Sequence, residues 1–166
     1  MPVPAKERPL GVRADLSLST EQVEMMRSLE AYAPWFVEER LARKVLVAPE
    51  RIPGAVLEFK RYMALVGLGY RGLAMLNPEV DEVWHTFILF TREYAEFCQA
   101  SFGTFIHHVP RTSRSAIPEA SGPGFLEAYA EVFGEVPAAW YGEGARGRAG
   151  SSDEPSGCGT EDCTDG

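Results

Sequence analysis

Five side chains between residues 81 and 108 have the chemistry of metal ligands. His85, His107 and His108 are the chain's three histidines, and Asp81 and Cys98 lie close to them in the sequence. Imidazole nitrogen, thiolate sulphur and carboxylate oxygen are the usual protein ligands for zinc and similar divalent transition ions. The sequence therefore predicts a metal site that uses some of these five residues, with a divalent transition metal such as Zn²⁺ as the candidate cofactor.

The spacing of Asp81 and His85 supports a more specific role for this pair. Residues four apart lie on one face of a helix. A carboxylate that bonds one ring nitrogen fixes the histidine tautomer and raises the basicity of the other nitrogen. His85 would then suit a metal ligand, or a general base beside Trp84 and Tyr94. A structural interpretation also stays open, in which Asp81 caps the helix and His85 packs at the border of the core.

The helix that must position these residues has clear end signals. Asn77 is a good N-cap, Pro78 a good first residue and Gly103 a natural stop. The sequence thus predicts one continuous helix over residues 78–102, some 37 Å long at ~1.5 Å per residue. Apolar residues cover most of its circumference, so we expect other elements to enclose it.

A continuous helix limits which ligands can meet. His85 and Cys98 would lie roughly 20 Å apart and point about 140° apart, so they could not share one ion. The segment with His107 and His108 could fold back to Cys98 more easily than to His85. We therefore expect Cys98, His107 and His108 as the compact set. A set that includes His85 requires a bent helix or a loop that runs straight back along it.

Helical patterns also occur on both sides of this segment. A capping box begins at Ser19, and apolar spacing predicts helices up to Pro34, from there to about Val47, and over residues 54–68. A last helix is expected over residues 125–133, and Trp140 should pack back on the body. No segment shows the sustained alternation typical of a strand. We predict an all-α fold of about five helices around the long central helix.

Composition divides the chain into three parts. Residues 1–14 are interpreted as a flexible N terminus, and residues 15–142 as one helical domain. Residues 143–166 hold glycine, serine and acids but no aromatic side chain, which predicts a disordered tail. The tail cysteines, Cys158 and Cys163, could bind a soft metal, form a disulfide or undergo modification, or they could be inert.

The charge pattern excludes some partners. The net charge is -8, and the best candidate basic cluster, Arg40, Arg43 and Lys44, follows two glutamates, which is typical of a solvated helix face. We therefore expect no nucleic-acid partner, since such binding needs a basic surface. The sequence contains no apolar run of membrane-spanning length and no secretory signal, so we expect a cytoplasmic protein with no membrane partner.

The segment VDEVWHTFILFTREYAEFC, followed by FGTFIHH, resembles the glycine-rich domain-containing protein-like family, a domain of unknown function. Members carry an Asp-x-x-Trp-His core on a helix, followed by a Tyr and often a Cys. Many relatives have a second His two residues after the Trp-His pair, where this chain has Phe87, and several have a His near the position of His107. The resemblance implies no established reaction. In this chain the family core corresponds to Asp81, Trp84, His85, Tyr94 and Cys98.

Three functions remain as hypotheses. The first is an accessory or scaffold protein that acts through protein–protein interaction, with the Trp84–His85 helix as its core. The second is a metal-binding domain. The third is an enzyme, or an enzyme's helper, with His85 as base. Because the chain has no GxSxG, Walker or HExxH motif, no reaction type follows from the sequence.

Overall fold

The computed structural model describes residues 8–110, 112, 114 and 124–141. Over these residues the fold is all-α, as predicted, and three short 3-10 turns accompany the α-helices. No helix in this part of the chain is long and apolar enough to cross a membrane. The six α-helices described are α1 Thr20–Ala31, α2 Trp35–Arg43, α3 Ile52–Gly67, α4 Pro78–Leu89, α5 Thr91–Phe102 and α6 Phe125–Phe133.

The helix ends that depend on local chemistry are confirmed. Ser19 and Gln22 form the predicted capping box at the start of α1. The Asn77 side chain accepts hydrogen bonds from the backbone N–H groups of Glu79 and Val80, at 2.9 and 3.2 Å. Gly103 ends α5 in the left-handed conformation, with φ of 68°. Each of these ends satisfies backbone groups that the helix itself leaves without partners.

The prediction of one continuous helix over residues 78–102 is wrong. Phe90, with φ of -89° and ψ of 68°, separates α4 from α5. Trp84 Nε1 donates to the Tyr94 hydroxyl at 2.9 Å, although residues ten apart on a continuous helix are about 15 Å apart along its axis. Helix α5 therefore folds back towards α4.

Aromatic packing explains the break, since the segment contains neither proline nor glycine. Residues 87–91, FILFT, are mostly weak helix formers. The Phe90 ring packs on Phe36 of α2 at 4.8 Å. The Phe87 ring lies 5.1 Å from Phe97 and 5.2 Å from Tyr94, both on α5. A straight helix would hold Phe87 away from the α5 rings, so burial of this cluster favours the turn.

The central position belongs to α3 and not to the predicted long helix. Helix α3 packs against α1, α2, α4 and α6. Four consecutive residues near its middle, Tyr62, Met63, Ala64 and Leu65, are completely buried. A helix that is buried on several faces needs an apolar circumference, and α3 has one. The shorter α4 and α5 lie beside it.

A buried polar network joins α3 to both ends of the described chain. Glu58 accepts hydrogen bonds from Arg61, Tyr129 and Trp140, at 2.9, 2.8 and 2.6 Å. Arg61 also donates to the Leu10 carbonyl oxygen at 2.9 Å. Because both carboxylate oxygens of Glu58 have donors, the charge is compensated inside the core. Trp140 is 1% exposed, so the prediction that it packs on the body is confirmed.

The structure places part of the predicted flexible N terminus in the core. Leu10 and Val12 are buried, and the Arg13 N–H donates to the Val132 carbonyl oxygen at 2.9 Å. The 3-10 turn that contains Leu10 packs against α1 and α3, and the polar residues around these apolar side chains concealed their burial in the sequence. The predicted tail, residues 143–166, and most of residues 111–123 lie outside the described residues.

Helix α2 ends on a residue that is unfavourable for its conformation. Val45 has φ of 53°, and its N–H donates to the Ala42 carbonyl oxygen while the Leu46 N–H donates to the Leu41 carbonyl oxygen. This is a Schellman ending, in which the left-handed residue is usually glycine. The β-branched side chain of Val45 is 80% exposed, so it gains little from packing.

We therefore predict that Val45→Gly stabilises the protein by about 1 kcal/mol, because it removes the left-handed strain. Urea unfolding of the two proteins would measure the difference. Val45→Ala is the matched control: it shortens the side chain and keeps the left-handed penalty, so its stability should stay near that of the parent. Equal effects of the two substitutions would show that the strain is absent.

Candidate metal centre

Three of the five predicted ligands converge on one point. Asp81 and His85 come from consecutive turns of α4, and His108 comes from the segment after α5. The Asp81 Oδ1 atom lies 3.1 Å from His108 Nε2 and 3.6 Å from His85 Nε2. The ligand atoms of all three side chains lie within 4.8 Å of one another.

The segment after α5 reaches α4 because Tyr94 anchors it. The Tyr94 hydroxyl accepts from Trp84 Nε1 at 2.9 Å and donates to the Ile106 carbonyl oxygen at 2.5 Å. Side chains then alternate along the segment: Ile106 is partly buried, His107 is exposed and the His108 side chain is 3% exposed. The hydrogen bonds that link Trp84, Tyr94 and Ile106 fix this segment in place. They therefore determine that His108, and not His107, points inwards.

Two aromatic neighbours hold the His108 ring in place. Its centroid lies 4.4 Å from that of Trp84, in an edge-to-face arrangement. The His85 ring is also 4.4 Å away, tilted by 50°. The enclosed His108 ring has few rotamers available, so its Nε2 stays directed at Asp81. A preorganised ligand loses little side-chain entropy when an ion binds.

The site is buried on one side and open on the other. The Asp81 side chain is 19% exposed, whereas that of His85 is 41% exposed. Asp81 also lies in the first turn of α4, where the positive end of the helix dipole favours a negative charge. An ion held here would rest against the core through His108 and face solvent beside His85.

The donor atoms are spaced as a first coordination shell requires. Ligand nitrogen and oxygen atoms about 2.0–2.2 Å from a tetrahedral zinc ion lie roughly 3.4 Å from one another. The two separations from Asp81 Oδ1, 3.1 and 3.6 Å, bracket that value. The remaining pair, His85 and His108, has its ligand atoms within 4.8 Å, so the three side chains form a candidate site for one small divalent ion.

The set that the sequence favoured does not assemble. Cys98 is fully buried beside Tyr94, and burial raises the pKa of its thiol. His107 is exposed and packs on the Phe105 ring at 4.8 Å. We expected that set because of distances measured along a continuous helix. These distances do not apply, since the chain turns at Phe90. The alternative of a bent helix, which brings His85 and His108 together, describes the structure.

The anchoring role of Trp84 and Tyr94 could not be predicted from the sequence. Both side chains are buried and bonded to each other, so they support the loop and do not line an open pocket beside His85. On a continuous helix the two residues would be far apart, which concealed their contact. Burial also raises the pKa of the Tyr94 phenol, which keeps its hydroxyl proton available for Ile106.

A family profile matches residues 30–129, which is more than half of the chain and includes the whole candidate site. The chain belongs to the UCP032817-like family. This family has no assigned biochemical function, which agrees with the expected domain of unknown function, but the match does not carry the glycine-rich domain-containing name. Neither the curated proteins nor the solved structures contain a match to the chain.

Removal of the Tyr94 hydroxyl should loosen the anchor. We predict that Tyr94→Phe lowers the free energy of unfolding by about 1–3 kcal/mol, because Trp84 Nε1 and the Ile106 carbonyl oxygen lose a buried partner. Tyr141→Phe changes an exposed tyrosine in the same way and should have almost no effect. Urea unfolding measures both, and NMR should show the His108 ring resonances shifting. Equal stability of the two variants would contradict the anchor.

Cys98 should be unreactive in the folded protein. Burial shields its thiol and raises its pKa, so little thiolate is present at pH 8. We expect iodoacetamide to leave Cys98 unmodified in buffer and to alkylate it in urea, as measured by peptide mass spectrometry. The tail cysteines, in the same digest, report whether the reagent was active. Rapid labelling of Cys98 in buffer would contradict its buried position.

Proposed function

We propose that this protein is a metal-binding domain in which Asp81, His85 and His108 hold one divalent transition ion such as Zn²⁺. One observation carries the proposal: two imidazole nitrogens from distant parts of the chain face the same carboxylate oxygen at 3.1 and 3.6 Å. Two imidazoles and one carboxylate form a ligand set that suits zinc and the neighbouring first-row ions.

The burial of His108 supports a ligand role. Its side chain is 3% exposed, and its Nε2 points at Asp81 and not into the apolar core. The hydrogen bond between His108 Nε2 and Asp81 gives this buried nitrogen a partner even when no ion is bound. A purely structural pair would need only Asp81 and His108, whereas His85 adds a third donor on the solvent side.

Three protein ligands leave at least one coordination position for another group. Such open sites are typical of catalytic zinc, whereas structural zinc usually has four protein ligands. The exposed edge of His85 gives solvent and small molecules a route to that position. A bound ion would supply Lewis acidity there and lower the pKa of a coordinated water.

Isothermal titration of the full-length protein with Zn²⁺ tests the proposal. We expect one tight site per chain, and we expect Asp81→Ala, His85→Ala and His108→Ala each to weaken binding by about 100-fold or more. Because the ligands must be deprotonated, binding should also release protons and weaken as the pH falls. Titration in buffers of different ionisation enthalpy measures the released protons.

The matched controls are the predicted ligands that lie elsewhere. His107→Ala and Cys98→Ala should leave the affinity unchanged, because neither side chain reaches the site. The titration is repeated in Cys158→Ser/Cys163→Ser protein, so that binding by the tail is separated. The absence of a tight site, or equal losses in His107→Ala and His108→Ala, would overturn the proposal. Thermal melting of each variant verifies that it is folded.

A further inference from the structure

A second surface with recognition chemistry lies on α2, where it meets the turn between α4 and α5. It is a cleft of about 460 Å³, within the range typical of ligand sites. None of the three candidate metal ligands lines it. We name it the α2 cleft. It is lined by Trp35, Phe36, Glu39, Arg40, Arg43, Lys44 and Phe90.

Aromatic rings form the apolar part of the α2 cleft. Phe36 and Phe90 pack on each other at 4.8 Å, and the edge of Trp35 meets Phe36 at 5.8 Å. Trp35 is 67% exposed, and Leu89, which precedes Phe90, is 63% exposed. An exposed tryptophan beside other apolar side chains is typical of a protein-interaction surface, because tryptophan is enriched among binding hot spots.

Positive charge surrounds these rings, although the protein as a whole is acidic. Arg40, Arg43, Lys44 and Glu39 line the α2 cleft, so three positive charges and one negative charge leave a local net charge of +2. Arg43 pairs with Glu39 at 3.3 Å, but both side chains are well exposed, and such a pair contributes little. A carboxylate that enters the cleft would therefore meet an attractive potential.

Arg40 supplies the most specific observation. Its Nε atom is shielded from solvent and has no hydrogen-bond partner among the described residues. A buried N–H without an acceptor is unfavourable, and buried polar groups are nearly always satisfied by some partner. The guanidinium group presents Nε and one Nη as a planar fork that matches the two oxygens of a carboxylate.

We propose that the α2 cleft binds an acidic segment of a partner protein. A carboxylate of that segment bonds Arg40, and an adjacent large apolar side chain packs on Trp35, Phe36 and Phe90. This site is independent of the metal centre and goes beyond the proposed metal-binding function. The charge complementarity and the unsatisfied Nε donor of Arg40 both point to an acidic occupant, and the aromatic rings require that it also be apolar.

The same observations argue against two other occupants. Nucleic acid needs a wider basic surface than a local charge of +2, and the chain's net charge of -8 would repel it. The chain's own residues 143–166 are acidic, but alanine is the only aliphatic residue among them, and they contain no aromatic residue. They offer nothing that would fill the aromatic part of the α2 cleft.

Selection from a random peptide-display library on the full-length protein tests the proposal. We expect the enriched peptides to place an acidic residue next to a tryptophan, phenylalanine or leucine. Fluorescence anisotropy then measures one enriched peptide against variants. Arg40→Gln and Trp35→Ala should each weaken binding by about tenfold or more. Arg40→Lys, which keeps the charge and loses the planar fork, should cause an intermediate loss.

Arg27→Gln is the matched control, because it removes an exposed charge on α1 outside the cleft. It should leave peptide affinity unchanged. The proposal is overturned if no peptide is enriched, if the enriched peptides lack acids, or if Arg27→Gln weakens binding as much as Arg40→Gln. Displacement of the peptide by single-stranded DNA would likewise show that the ligand class is wrong. Melting curves verify that each variant is folded.

Discussion

The hydrogen bond between Trp84 and Tyr94 is the interaction on which the arrangement of this protein depends. It joins two residues ten apart in sequence at 2.9 Å, which is possible only because the chain turns at Phe90. The same tyrosine hydroxyl then holds the Ile106 carbonyl oxygen. One buried phenol thus fixes α4, α5 and the following segment relative to one another. Because side chains alternate in direction along that segment, His108 points inwards.

The two surfaces with recognition chemistry both depend on this turn in the chain. Before Phe90, α4 carries Asp81 and His85 towards His108. At the turn itself, the Phe90 ring completes the aromatic wall of the α2 cleft. A continuous helix would keep Phe90 on the buried surface of a single rod and would hold His108 away from His85. The break therefore shapes both candidate sites of this small all-α fold.

Polar groups in the core support this arrangement from the other side of α3. Glu58, Arg61, Tyr129 and Trp140 form one satisfied network that ties α6 and the last described turn to the centre. Such groups are costly to bury unless every donor and acceptor has a partner. Helices α4 and α5 are positioned instead by aromatic packing. The family match over residues 30–129 includes Glu58, Arg61 and Tyr129 together with the three candidate ligands, and Trp140 lies beyond it.

The sequence by itself determined the all-α class, the ends of most helices and the residue types of the candidate site. The caps at Ser19, Asn77 and Gly103 could be predicted because each involves groups within a few positions of one another. The turn at Phe90 could not, because it depends on the rings of Phe36 in α2 and Phe59 in α3, which are distant in sequence. Only the tertiary structure could therefore decide that His108 joins Asp81 and His85 while Cys98 and His107 do not.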